Sequence, residues 1–400
     1  MYILSEGMKS FLIEKSISKH VNLKETIQVA LLQLKQTCNK TEWRKCLGTC
    51  SNILSAYIYD EIHSTHYILN CIAESAIWSD MVPQDKRDIH FIQNPDASAG
   101  GNPRDYLTGD WEHDSQYISL VLPDGYEGRL IMGFGPSASG KTYWAQTLIT
   151  LFSQTRPSFP KVFLSIDGGI YRKTSVVYEL ILEAIGECFE GVENLVSAGF
   201  SPISSSLFNA DKIKTVIINY LETQKKPISL YVPETLGGCL LDCSDKIKKY
   251  QKITRDPRWI GVYIWQHLHN CPYDDGMKCE GCERSGKRRE KKEGKKYSST
   301  AYDISCKNGL SMVEKAPGGI FKIHNSGNGD SQSTVEYTAP WAITMIRKNK
   351  EKYKYIIKEM PVTAQGGLRK TRSRLAKTQG RLRRIRKVKK ERKSRKRFFN

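Results

Sequence analysis

One eight-residue stretch holds the densest chemistry in this 400-residue chain: Gly135-Pro136-Ser137-Ala138-Ser139-Gly140-Lys141-Thr142. It fits G-x-x-x-x-G-K-[ST], the pattern of a loop that cradles phosphates. Glycines let the backbone curl so that successive N–H groups point inward at anionic oxygens. The helix that follows adds the positive end of its dipole. In such a loop Lys141 reaches the β- and γ-phosphates, and the Thr142 hydroxyl ligates Mg²⁺. The expected nucleotide contacts are therefore Gly135, Ser137, Ser139, Gly140, Lys141 and Thr142, with ATP and Mg²⁺ as ligands. The flanks suit the motif: Arg129–Phe134 is a short apolar run that reads as a buried strand, and Tyr143–Ile149, without Gly or Pro, reads as a helix.

Three further side chains stand where a phosphoryl acceptor would be handled. Asp167 closes the strong apolar run 161–167 and is followed by Gly168-Gly169. A carboxylate there can take the proton of an attacking hydroxyl, hold a Mg²⁺-bound water, or simply cap the next helix. Arg172 either clamps an anionic substrate or is a surface arginine. Glu234 follows the run 228–232 and binds substrate hydroxyls, reaches the metal, or is a loop glutamate. The stretch Arg284–Lys296 holds eight cations against two acids. It reads as a lid that neutralises charge during transfer, with Arg288 standing for the catalytic cation, or as a solvated charged loop. Just before it lie His269, Cys271, Cys279 and Cys282, the last two in C-x-x-C spacing, which could hold a structural Zn²⁺ or be plain reduced thiols.

Charge is distributed in two parts. The net charge is +20, yet Gly366–Asn400 alone carries seventeen Lys and Arg against Glu391, or +16, leaving +4 for the other 365 residues. A tail this basic repels itself and has little to bury, so disorder is expected. It suits nucleic-acid phosphates, a nuclear address or a solubility role. No apolar run is long enough to span a bilayer, so no membrane partner is expected. No secretory pattern opens the chain, and eleven cysteines without one imply reduced thiols and a cytoplasmic or nuclear setting.

Apolar runs and their spacing define the scaffold around these groups. Residues 8–80 read as helical, with runs at 23–34 and 53–78. Strands are expected at 115–122, 129–134, 161–167, 228–232, 260–265 and 320–324, with helices at 176–189 and 210–223; the run 115–122 is expected to form a hairpin with the strand before the loop. Strands alternating with helices predict a parallel α/β sheet of the P-loop NTPase type with helices on both faces. The expected division is 1–92, a helical accessory domain; 93–345, the nucleotide domain; and 346–400, the basic tail.

This order of parts (P-loop, strand-Asp-x-x-x-x-Arg, strand-x-Glu-Thr, basic lid) resembles the zeta-toxin-like P-loop kinases over residues 128–325. The resemblance implies transfer of a γ-phosphoryl group to a hydroxyl of a small substrate, with Lys141 and Thr142 on ATP and Mg²⁺, Asp167 as base, and Arg172 and Glu234 on substrate. Asp167-Gly168-Gly169 replaces a more acidic turn of that family, and Pro233-Glu234-Thr235 a Glu-Gly-Thr pattern. The competing readings are a nucleic-acid-binding P-loop ATPase or nucleotide switch, and a polynucleotide hydroxyl kinase.

Overall fold

A computed structural model describes residues 10–12, 25–26, 28–29, 32–33, 36, 57–93, 106–122, 128–136, 139–189, 210–234, 243–266, 288, 309, 311–325, 334–337 and 356–359. The chain divides into two compact units, Met1–Lys358 and Glu359–Asn400. In chain order the elements are α1 (Thr65–Glu74), β1 (Ala76–Trp78), β2 (His90–Gln93), α2 (Trp111–Asp114), β3 (Ile118–Val121), β4 (Leu130–Phe134), α3 (Lys141–Thr155), β5 (Val162–Ser165), α4 (Gly168–Lys173) and α5 (Val176–Phe189). There follow α6 (Ala210–Thr223), β6 (Leu230–Glu234), α7 (Ser244–Thr254), β7 (Ile260–Gln266), β8 (Ile320–Asn325), β9 (Thr334–Tyr337) and β10 (Ile356–Glu359).

The main sheet runs β1-β5-β6-β4-β7-β8-β9-β10. Its five central strands, β5-β6-β4-β7-β8, are mutually parallel, while β1 pairs antiparallel with β5 and β9 with β8. Parallel strands covered on both sides must be apolar throughout rather than alternating, and every residue of β4, β5 and β6 is buried. Successive side chains still divide between two layers. Ile131, Phe163, Tyr231, Ile260, Val262 and Ile264 pack against Trp144, Ala145, Leu148, Ile149 and Phe152 of α3. Leu130, Met132, Phe134, Leu164, Leu230 and Val232 face the other way, toward α1, α5, α6 and α7. Each of those helices buries one stripe at helical spacing, such as Ile213, Ile217, Tyr220 and Leu221 of α6.

The connections explain this layering. From β4 the chain passes through α3, over β6, to β5. From β6 it passes through α7, over β4, to β7. The two crossovers run in opposite directions, so a single handedness puts their helices on opposite faces. At the carboxyl ends of the neighbouring strands β4 and β6 the chain therefore parts both ways and opens a crevice, the place where open α/β sheets hold ligands.

Several expectations change. The helical run expected to Trp78 stops at Glu74, and Ala76–Trp78 becomes the edge strand beside β5, in register Ile77 to Phe163. The strand expected at 115–122 pairs with β2, forming a separate two-stranded sheet, and not with β4. The strand expected over 161–167 ends at Ser165. The reduced-thiol expectation meets an exception, since Cys243 is disulfide-bonded, whereas Cys71 is free and buried. Among the described residues no helix is long and apolar enough to cross a membrane. Of the basic tail, nothing from 360 onward lies among the described residues.

Candidate functional site

The glycine-rich loop leaves the carboxyl end of β4 inside that crevice. Gly135 has φ 142°, a backbone region that favours glycine, and a Cβ there would collide with the Ile264 carbonyl of β7. Gly140, at φ 92°, is the left-handed residue from which α3 starts. Ser139 is buried and Ser137 lies outside the described residues. Lys141 is only 8% exposed. Its side chain turns back, and Nζ donates to the Gly135 carbonyl at 2.9 Å and the Pro136 carbonyl at 2.6 Å. The ammonium thus sits inside the curl, and Thr142, one residue on, is exposed.

A residue not singled out from sequence anchors this turn. Tyr231 of β6 is fully buried, and its hydroxyl donates to the Lys141 carbonyl at 2.8 Å. A Cβ at Gly133 would clash with that hydroxyl, so Gly133 makes the room for it. Burial pushes the Tyr231 hydroxyl well up from its ordinary range, with the nearby Asp167 carboxylate adding to the shift. The phenol therefore stays a neutral donor.

Asp167 stands two residues beyond β5 and caps α4, its Oδ1 accepting from the Gly169 N–H at 2.8 Å. The capping alternative is thus realised, on one carboxylate oxygen. The short α4 is held from both sides: the Tyr171 hydroxyl donates to the Ser165 carbonyl at 3.0 Å, and the Tyr171 carbonyl accepts from Tyr67 of α1 at 2.7 Å. Arg172, in the last turn of α4, is 5% exposed, which removes the surface-arginine alternative.

Glu234 is the last residue of β6, not part of a loop, and is in register with Phe134 at the end of β4. It is buried and lies 3.6 Å from Nζ of Lys214 on α6. Lys214 was invisible as a site residue in the sequence, where it is one lysine on an amphipathic helix. The sheet order thus sets the Gly135–Thr142 loop and Glu234 at adjoining strand ends, with Asp167 just past the next strand.

A second buried carboxylate, also missed from sequence, supports the region. Glu61, in a helical turn over 57–62, accepts from the Ser175 hydroxyl, from Val176 N–H at 2.7 Å and from Val177 N–H at 3.2 Å. It satisfies the free donors at the start of α5. Burial pushes its carboxyl up to about 7 despite those three donors.

Of the basic run 284–296 only Arg288 is described, and it is exposed. The four expected zinc ligands, His269, Cys271, Cys279 and Cys282, lie outside the described residues. Among the described residues no group of three or more His, Cys, Asp or Glu could hold a metal ion. No family model matches the chain, and neither a curated protein nor a solved structure matches it significantly.

Proposed function

We propose that this chain is a P-loop phosphotransferase that moves the γ-phosphoryl group of a nucleoside triphosphate, ATP by the reading above, to a hydroxyl of a small substrate. The observation that carries the reading is the loop itself. It has the spacing of a phosphate cradle, curls at two left-handed glycines, encloses the Lys141 ammonium and opens at the sheet's switch point. Lys141 can release its two carbonyls for phosphate oxygens, which are stronger, charged acceptors. The exposed Thr142 hydroxyl suits a Mg²⁺ ligand, and such an ion would neutralise charge on the β- and γ-oxygens.

Acceptor handling falls to the neighbouring strand ends. One oxygen of Asp167 is taken by its cap, and the other serves as proton acceptor for the attacking hydroxyl. Arg172 and the Lys214–Glu234 pair are the groups that orient the acceptor, Glu234 through its hydroxyls. The resemblance to zeta-toxin-like kinases supports the roles given to Asp167, Arg172 and Glu234. A nucleic-acid-dependent ATPase is the second reading, favoured by the +16 charge of the tail.

The test is transfer of labelled γ-phosphate from ATP into a small-metabolite extract, with and without RNA or DNA. A labelled small product is expected, lost in Lys141→Ala and in Asp167→Asn, with Asp167→Asn still binding Mg–ATP. Stimulated hydrolysis by nucleic acid without a labelled product supports the second reading. A protein with no affinity for any magnesium–nucleoside triphosphate overturns both.

A further inference from the structure

We infer that Tyr143 is the platform on which the nucleoside of the bound triphosphate stacks; this rests on the nucleotide reading above and adds the contact made beyond the phosphates. Tyr143 directly follows Thr142 in the first turn of α3 and is 62% exposed, whereas its neighbours Trp144 and Ala145 are each 1% exposed. A large ring is thus left in water at the mouth of the loop, on a helix whose other face is sunk in the core.

Direction and rigidity both favour this role. Side chains in an α-helix lean toward its N-terminus, so the surface that Tyr143 covers lies over the turn before it, at Gly140 and the loop. The Trp144 ring, sunk in the core, lies edge-on to that of Tyr143, with centroids 6.1 Å apart and planes at 88°. One turn further along, Gln146 donates to Asp80 at 2.7 Å, which ties that flank of the helix to the chain beyond β1. The platform therefore belongs to an anchored segment, and little freedom remains to be lost when a ligand settles on it.

The chemistry specifies the ligand class. The loop amides and Lys141 are suited to phosphates, and the uncharged phenol ring does not compete for them. A nucleobase presents the flat π-face that an aromatic ring stacks upon, and every base has one. Tyr143 accordingly adds affinity for nucleotides over inorganic polyphosphate without choosing between adenine and guanine.

The experiment compares calorimetric titration of the full chain with Mg–ATP, Mg–GTP and Mg–tripolyphosphate. Stacking on an aromatic side chain is worth ~1–3 kcal/mol by alanine substitution. Tyr143→Ala should therefore weaken ATP and GTP alike, by roughly fivefold to 150-fold, and leave tripolyphosphate unchanged. Tyr143→Phe and Tyr143→Trp should retain nucleotide affinity. An unchanged ATP affinity in Tyr143→Ala overturns the inference, as does an equal loss for tripolyphosphate, which would mean a disturbed loop. If the parent protein binds tripolyphosphate and ATP equally, stacking is refuted while the phosphate cradle stands. If it binds neither, the nucleotide reading itself falls.

Discussion

Replacing Glu61 with Gln should remove a pH dependence of stability whose size follows from the structure. Glu61 is 4% exposed, far from bulk water, and sits on the free donors of α5. Those donors and the Ser175 hydroxyl favour the carboxylate, but desolvation is the larger effect and lifts the group from 4.5 to about 7. At ~1.36 kcal/mol per pH unit this lift corresponds to ~3 kcal/mol. The folded protein holds the proton more tightly than the unfolded chain does. The contribution is therefore complete below pH 4.5 and is lost as pH rises through 7. Gln keeps the shape and can accept from Val176 and Val177, yet does not titrate. Urea unfolding of both proteins from pH 5 to pH 8 isolates the effect, because every other carboxylate is common to the two. The stability difference should move in favour of Glu61→Gln by most of that ~3 kcal/mol across this interval. Parallel pH profiles would refute the reasoning and mean that the three donors fully offset burial.

The remaining predictions concern the crevice. Gly135→Ala places a methyl group against the Ile264 carbonyl at φ 142°, so it should destabilise the fold by roughly 1–3 kcal/mol and weaken Mg–ATP binding, measured by thermal shift and titration. Asp167→Ala should cost about 1 kcal/mol of stability through the lost cap, whereas Asp167→Asn should cost less and still lack transfer, which separates capping from proton acceptance. Lys214→Ala leaves the buried Glu234 without its charge partner; a transfer assay should show raised acceptor KM with unchanged Mg–ATP affinity.

The parts legible in sequence were those encoded by short-range spacing. The loop from Gly135 to Thr142 announces itself within eight residues, and β6, β7, β8 and the helices α5 and α6 follow from apolar runs and periodicity. What stayed hidden depends on partners far along the chain. Ala76-Ile77-Trp78 is apolar on every side, so nothing local separates helix from strand, and pairing with Val162–Leu164 decides it. Tyr231 reads as one more strand residue until β4 is laid beside β6 and Gly133 opens the space for its hydroxyl. Glu61 gains meaning from Ser175, Val176 and Val177, more than a hundred positions away. Asp167 was legible as a strand-end carboxylate, but which of its roles its surroundings use first, the cap, required the geometry of α4.

The bond from Tyr231 to the Lys141 carbonyl has a mechanical outcome. Tyr231 and Glu234 share one five-residue strand, and that strand is stitched to β4 along its whole length. A pull on the opening turn of α3 is consequently borne by the ground on which Glu234 stands, and the glycine-rich turn and Glu234 shift as a single block. Narrowing of the gap has to be driven from the opposite bank, where α4 hangs on Tyr67 and Ser165 through individual hydrogen bonds rather than a ladder of them.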